Sequence, residues 1–332
     1  MGAWPTAAGP SASGEATAAP VGRFAPTPSG RMHAGNVFSA LMGWLAVRSA
    51  GGRVVLRIED LDPRAQDRTV AALLMDDLRW LGLDWDEGPY FQSERGELYL
   101  EALRELSPHT YPCFCTRQEL HAASAPHASD GTYVYQGTCR GLSPSEVARR
   151  SRLRPPATRL AVPEAGDAAA DVRFCDLVFG AQRENLARDC GDFIVRRSDG
   201  VVAYQLAVVV DDALMGVDLV VRGSDLLGSV ARQMYLQDLL GYPHPRYAHV
   251  PLLVTPEGRR LSKRDHDLDL GYLRSRLAGP EPLLGWLASL VSLAEPGEET
   301  SADELVGRFS WDALRAHRED VVVGDLPQML KL

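Results

Sequence analysis

Three groups of side chains in this sequence are suited to chemistry. The first, Met32-His33-Ala34-Gly35-Asn36, stands where an extended segment gives way to a helical pattern. Backbone N–H groups at a helix start attract phosphate oxygens. A histidine there can hydrogen-bond a phosphate, and Gly35 lets a purine or ribose approach the backbone. The second, Arg260-Leu261-Ser262-Lys263-Arg264, follows Gly258 and reads as a cationic loop able to neutralise a departing pyrophosphate. Lysine occurs only at Lys263 and Lys331, so nearly all of the 35 basic residues are arginine. That makes Lys263 informative, because a flexible ammonium is the usual point charge for a triphosphate. The third, Cys113-Phe114-Cys115 with Cys139, offers three thiolates, which bind zinc well and leave one tetrahedral position. A histidine usually fills such a position, and His121 and His127 lie in the intervening loop. Each group has a bland counterpart: an incidental loop histidine, a solvated basic loop, three unrelated thiols. No Walker A or Gly-x-Gly-x-x-Gly motif is present, so any ATP must be held another way.

The elements that must position these groups alternate. Residues 1–20 are rich in Ala, Ser, Gly, Pro and Thr and read as a disordered tail. Gly22 to Pro26 reads as a short strand entering a turn. Asn36 to Ser49 carries apolar residues at helical spacing, Val54 to Ile58 is a buried strand, and Asp67 caps a helix running to Leu81. Strand–helix alternation predicts a parallel sheet with crossover helices. The texture breaks over 111–160 and returns near Cys175. Phe193 to Arg197, Val217 to Arg222 and a helix from Ser224 to Leu240 suit a second half of the same sheet. The chain therefore divides into a tail (1–20), two halves of one α/β unit (21–112 and 175–253), an insertion between them that carries the cysteine cluster (113–174), and a small helical region (254–332). Cys175 and Cys190 fall outside the cysteine cluster and read as packing residues.

Five motifs in order give these groups a common meaning. They are Arg23-Phe24-Ala25-Pro26-Thr27-Pro28-Ser29-Gly30, His33-Ala34-Gly35-Asn36, Arg57-Ile58-Glu59-Asp60, Arg222-Gly223-Ser224-Asp225-Leu226 and Leu261-Ser262-Lys263-Arg264. Together they resemble the glutamyl-type class I aminoacyl-tRNA synthetases, from about Val21 to about residue 320. The resemblance implies a Rossmann-like α/β catalytic domain, ATP with Mg2+, L-glutamate and a glutamyl-adenylate. It implies that His33, Asn36, Ser262 and Lys263 are catalytic, with His33, Gly35, Asn36 and Lys263 on ATP. For glutamate it implies Arg23, Ala25, Thr27, Glu59, Tyr204 and Arg222. A substrate with two carboxylates and one ammonium needs cations for the first and an anion for the second. Arg222 suits the side-chain carboxylate in bidentate fashion, Arg23 is a second cation, Glu59 suits the α-ammonium, and Tyr204 closes the pocket. Two departures stand out. Asn36 replaces the family's second histidine, and Arg260 replaces the first lysine of the Lys-Met-Ser-Lys-Ser element. Asn36 still donates a hydrogen bond and Arg260 keeps the charge, so the chemistry is expected to survive.

The cysteine layout narrows the family. It is similar to the glutamyl-queuosine tRNA(Asp) synthetases, whose zinc site includes a tyrosine four residues before the last cysteine. That similarity implies one structural Zn2+ on Cys113, Cys115, Tyr135 and Cys139, with Tyr133 the near competitor. A phenolate can serve as a ligand because a metal lowers the phenol's pKa, and the same resemblance makes 113–174 a zinc-containing insertion that contacts tRNA, between two halves of a catalytic domain. About seventy residues follow Lys263, fewer than the roughly 100–150 of a further domain, so no anticodon-binding domain is expected. The resemblance then implies transfer of glutamate to the cyclopentenediol of queuosine in the anticodon loop of tRNA(Asp). The rivals are a truncated glutamyl-tRNA(Glu) synthetase and a non-catalytic zinc-containing tRNA-binding module.

Composition sets the outer bounds. The chain has 332 residues, is 45% hydrophobic and 24% charged, and carries a net charge of -9. That is an ordinary globular composition, long enough for two or three domains. No apolar run approaches the roughly 20 residues of a membrane span, no secretory signal is visible, and five cysteines are no disulfide scaffold. A cytoplasmic monomer is expected. Acid is concentrated in 60–105 and 295–325, whereas 140–159 holds six arginines and one acid. The overall charge therefore predicts weak non-specific nucleic-acid binding, with recognition resting on a few local cations.

Overall fold

A computed structural model describes residues 18–116, 119, 134, 135, 137–259, 261 and 269–323. The chain starts on strand β1 (Val21–Phe24), which feeds helix α1 (Ala34–Arg48). That helix is apolar on most sides. It buries Val37, Phe38, Leu41, Met42, Trp44 and Leu45, which fits a helix covered by sheet and by other helices. Strand β2 (Arg53–Ile58) returns parallel to β1, with Arg23 opposite Val55. Helix α2 (Arg68–Trp80) begins as its sequence indicates, with the Asp67 carboxylate accepting from the Thr69 N–H at 2.8 Å. Strand β3 (Glu87–Phe91) then adds parallel to β2, and α3 (Gly96–Glu105) follows. Of the expected tail, residues 1–17 lie outside the described residues. Pro20 already joins the sheet, accepting from Arg53 N–H at 3.0 Å.

The second half departs from expectation in one respect. Strand β4 (Thr110–Cys113), β5 (Ala157–Leu160) and β8 (Phe193–Arg196) form a separate antiparallel sheet in the order β4-β5-β8. The expected Phe193–Arg197 strand therefore does not extend the parallel sheet. Its partner is β5, with Leu160 opposite Phe193. Helix α4 (Pro144–Ser151) lies in the loop before β5, and β6 (Asp171–Asp176) and β7 (Gly180–Asn185) form a hairpin. The chain returns to the parallel layer through α5 (Tyr204–Leu214), β9 (Leu219–Gly223), a 3₁₀ turn over Ser224–Ser229, α6 (Val230–Leu240) and β10 (Arg246–Val250). The helix expected from Ser224 thus starts six residues later, after the turn.

β9 and β10 pair in parallel as a second, two-stranded sheet, and β9 lies beside β1. The Asp218 backbone N–H donates to the Val21 carbonyl at 3.0 Å, and the Asp218 carboxylate accepts from the Val21 N–H at 3.0 Å. The parallel layer therefore changes direction of winding between β1 and β9. In open α/β sheets, ligands sit outside the carboxyl ends of the strands at such a point. The last region holds α7 (Leu270–Arg276), α8 (Glu281–Ser289), α9 (Ala302–Val306) and α10 (Trp311–Ala316). It packs on the core through Leu283, Leu284, Leu287 and Leu314, and returns to β11 (Leu253–Val254) through β12 (Val321–Val322). Among the described residues, no helix is long and apolar enough to cross a membrane.

Candidate functional site

A cavity of about 750 Å3 opens at the carboxyl ends of β1 and β9. Its lining includes Arg23, Ala25, Thr27, His33, Gly35, Asn36, Glu59, Tyr204 and Arg222. Segments far apart in sequence thus meet where the sheet topology places a ligand. Arg222 is carried by β9 and Arg23 by β1, and Glu59 follows the last residue of β2. Tyr204 is the first residue of α5 and remains 38% exposed at the cavity.

His33 is the N-cap of α1, and its backbone N–H donates to Asn36 Oδ1 at 3.4 Å. The start of α1 therefore lies at the cavity wall, the kind of place where a helix terminus attracts phosphate. Space is tight at Gly35. A Cβ added to it would lie 3.1 Å from the His33 imidazole. Ser262 and Lys263 lie outside the described residues. Leu261 lines the cavity, and its N–H donates to the Leu253 carbonyl at 3.2 Å. On the other side, Asp269 makes an antiparallel bridge with His33, and Leu270 N–H donates to the Met32 carbonyl at 2.9 Å. Both flanks of the Ser262–Lys263 segment are therefore fastened to the cavity wall.

The charges beneath the cavity are buried and paired. Arg57 is fully buried, with Nη1 2.6 Å from Asp212, Nη2 3.2 Å from Glu59 and Nε 3.7 Å from Asp211. Asp211 also accepts from Gln92, Arg95 and Tyr99 at 2.7–2.8 Å. Arg23 lies 3.7 Å from Asp212 and donates to the Val221 carbonyl at 3.1 Å. Burial lowers the Arg23 pKa, with Asp212 opposing, yet a guanidinium stays charged. Burial raises the Glu59 carboxyl pKa, and Arg57 and then Arg23 oppose it. Glu59 is thus both a cavity residue and half of an ion pair. Arg57 stands in the Arg57-Ile58-Glu59-Asp60 motif without a role of its own, and the Asp211–Asp212 pair carries no spacing signal in the sequence.

A second cluster lies at the end of β4. The sulfurs of Cys113, Cys115 and Cys139 all fall within 4.8 Å of one another. The Tyr135 hydroxyl is 3.7 Å from Cys113 Sγ and 3.6 Å from Cys115 Sγ, and Cys115 and Cys139 sulfurs are 3.6 Å apart. A tetrahedron with metal–sulfur bonds near 2.3 Å has edges of about 3.8 Å. These three distances are close to such edges, and the three thiols can hold a metal. Tyr133, His121 and His127 lie outside the described residues. Arg159, 5% exposed, donates from Nε to Cys113 Sγ at 3.2 Å and stacks on the Tyr135 ring at 3.8 Å. Burial alone would raise the Cys113 thiol pKa, but the Arg159 contact brings it below its ordinary value. Arg154 donates to the Cys115 carbonyl at 3.3 Å. Two of the six arginines of 140–159 thus serve the cluster, while Arg140, Arg149 and Arg152 are exposed. Cys190 is buried as expected. Cys175 is not a packing residue, because β6 turns it outward and leaves it exposed.

The model of the family described as tRNA synthetases class I (E and Q), catalytic domain, matches residues 21–319. A Symbiobacterium thermophilum protein named glutamyl-Q tRNA(Asp) synthetase is 49% identical over 90% of this chain and 94% of its own length. A protein of the same name from Nitratidesulfovibrio vulgaris is 44% identical over 93% of this chain and 98% of its own. The glutamate-tRNA synthetase structure from Elizabethkingia anophelis superposes with a TM-score of 0.77 at 26% identity, covering 94% of this chain and 69% of that one.

Proposed function

The chain belongs to the class I tRNA synthetases of the E and Q type, a family of ligases, and on that premise we propose a two-step reaction. It activates L-glutamate with Mg-ATP and passes the glutamyl group to the cyclopentenediol of queuosine in the anticodon loop of tRNA(Asp). The observation that carries this reading is one cavity lined by two buried arginines, a carboxylate and a helix start. Kinship with proteins named glutamyl-Q tRNA(Asp) synthetase over nearly their whole length supplies the acceptor.

In the first step a glutamate α-carboxylate oxygen attacks the α-phosphorus of ATP, and pyrophosphate leaves. Arg222 holds the side-chain carboxylate, Arg23 provides a second cation, Glu59 meets the α-ammonium and Tyr204 flanks the substrate. Ala25 and Thr27 line the same wall. His33, Asn36 and the N–H groups of α1 face the phosphates, and Gly35 leaves room for the nucleoside. Lys263 neutralises the leaving pyrophosphate, with Ser262 beside it. Catalysis is then mainly positioning and charge stabilisation. In the second step a queuosine hydroxyl attacks the mixed anhydride and AMP leaves. Cys113, Cys115, Cys139 and Tyr135 would hold a structural Zn2+ that joins the end of β4 to the Cys139 turn, and the exposed Arg140, Arg149 and Arg152 are cations for tRNA phosphates.

The test is aminoacylation of tRNA(Asp) with and without queuosine, using labelled glutamate. Label is expected only on the queuosine-containing tRNA and should survive removal of its 3′ end. Equal labelling of the two tRNAs refutes the acceptor. Loss of label with the 3′ end points instead to a glutamyl-tRNA(Glu) synthetase.

A further inference from the structure

Behind Arg222 lies a polar relay that the reaction above does not use. Arg222 and His249 face each other across the parallel pair β9 and β10. Arg222 Nε donates to His249 Nε2 at 3.0 Å, and His249 Nδ1 lies 2.6 Å from Asp176 Oδ2. All three side chains are buried, with His249 fully so. Asp176 is held in turn by the backbone N–H groups of Val178 and Phe179, each at 2.9 Å. A rigid chain of contacts thus runs from a backbone turn to the cavity.

The direction of each hydrogen bond follows from the donors. A guanidinium has only N–H donors, so His249 Nε2 must accept. The imidazole is then neutral and carries its proton on Nδ1, which donates to Asp176. An anionic Asp176 fixes that tautomer, as an outer partner does for a ligating histidine. Burial, with the nearby Arg222 charge, lowers the His249 pKa and keeps the ring in this form. A second contact, from Arg222 Nη2 to the Leu226 carbonyl at 3.1 Å, fixes the plane of the guanidinium. Two of its five N–H groups are therefore taken on the Nε–Nη2 edge, and the Nη1 end of the fork is the part a carboxylate would meet.

We propose that His249, oriented by Asp176, is a positioning residue that sets Arg222 for the substrate's side-chain carboxylate and so favours glutamate over glutamine. This rests on the reading that Arg222 binds that carboxylate. Lysine at 222 would lose the planar fork, whereas a change at 249 leaves the fork but frees its orientation. The anionic Asp176 thus stands one imidazole away from the buried Arg222 guanidinium.

The experiment measures glutamate-dependent ATP–pyrophosphate exchange, with tRNA present, on the full chain. His249→Leu is expected to raise the KM for glutamate about 10- to 100-fold, the worth of one hydrogen bond to a charged group. The KM for ATP and kcat at saturating glutamate should change less than about threefold. The preference for glutamate over glutamine should fall as the glutamate KM rises. His249→Gln keeps an acceptor and should recover part of the loss. A folded His249→Leu with an unchanged glutamate KM overturns the proposal, as do equal rises for both substrates. If the leucine variant does not fold, His249→Gln and Asp176→Asn carry the test through smaller rises in the same constant. Arg222→Lys separates the two ideas. If it leaves the glutamate KM unchanged, the reading of Arg222 fails; if it raises it while the 249 variants do not, only the relay fails.

Discussion

Glu59→Gln separates the two roles that Glu59 fills. As the partner of Arg57 it is structural; as the anion facing the substrate ammonium it is functional. The structural loss should be small. Arg57 keeps Asp212 at 2.6 Å and Asp211 at 3.7 Å, so no buried cation is orphaned. The substitution also removes a carboxylate that burial disfavours. A carboxyl whose folded pKa is raised contributes stability that is complete below its unfolded value and lost as pH rises through the folded value. At neutral pH the native chain bears that loss and the glutamine variant does not. Stability should therefore change by no more than about 1 kcal/mol, or roughly 2–4 °C in melting temperature. The difference should move in favour of the variant as pH rises above the ordinary glutamate value. The functional loss should be large. Removing a charge-assisted contact worth about 1.5–3 kcal/mol lowers kcat/KM for glutamate roughly 10- to 150-fold. Pyrophosphate exchange and thermal unfolding followed by circular dichroism measure the two. A melting temperature that collapses while kcat/KM holds within threefold would refute the substrate role and leave only the ion pair.

Two further outcomes follow from the buried groups. Asp211→Ala strips the common acceptor of Gln92, Arg95 and Tyr99 and should cost about 3–5 kcal/mol, lowering the melting temperature by roughly 10 °C; a shift below about 2 °C on thermal unfolding contradicts it. Metal analysis by emission spectroscopy should find about one zinc per chain, and Cys115→Ser should release it; an unchanged zinc content in the serine variant excludes Cys115 as a ligand.

Much of the site was legible because its signals are local. The Asp67 cap and the helix periodicity of α1 and α2 need only neighbouring residues, and both appear within one or two positions of their expected places. The motif residues Arg23, His33, Glu59 and Arg222 converge because they lie at strand ends or at the start of a helix, where parallel topology aims them at one crevice. What was hidden depends on distant partners. Nothing local tells Phe193 to pair antiparallel with Leu160 instead of entering the parallel sheet. Asp176 and His249 are 73 residues apart and carry no motif. Cys175 sits in a hairpin strand whose two faces the sequence alone does not rank.

The seam between β1 and β9 also bears on how the chain folds. Val21 and Asp218, which join there, are 197 positions apart. The cavity comes into existence only after a loop of that length has closed, an entropically costly, non-local event that belongs late in folding. A partly made chain would hold both cavity arginines in separate pieces with no means of gripping substrate. Once closed, a ligand lying across the seam acts as a clasp. At a concentration one hundred times its dissociation constant it adds about 2.7 kcal/mol against unfolding. Substrate supply thus becomes a determinant of how long the folded enzyme lasts, quite apart from how fast it turns over.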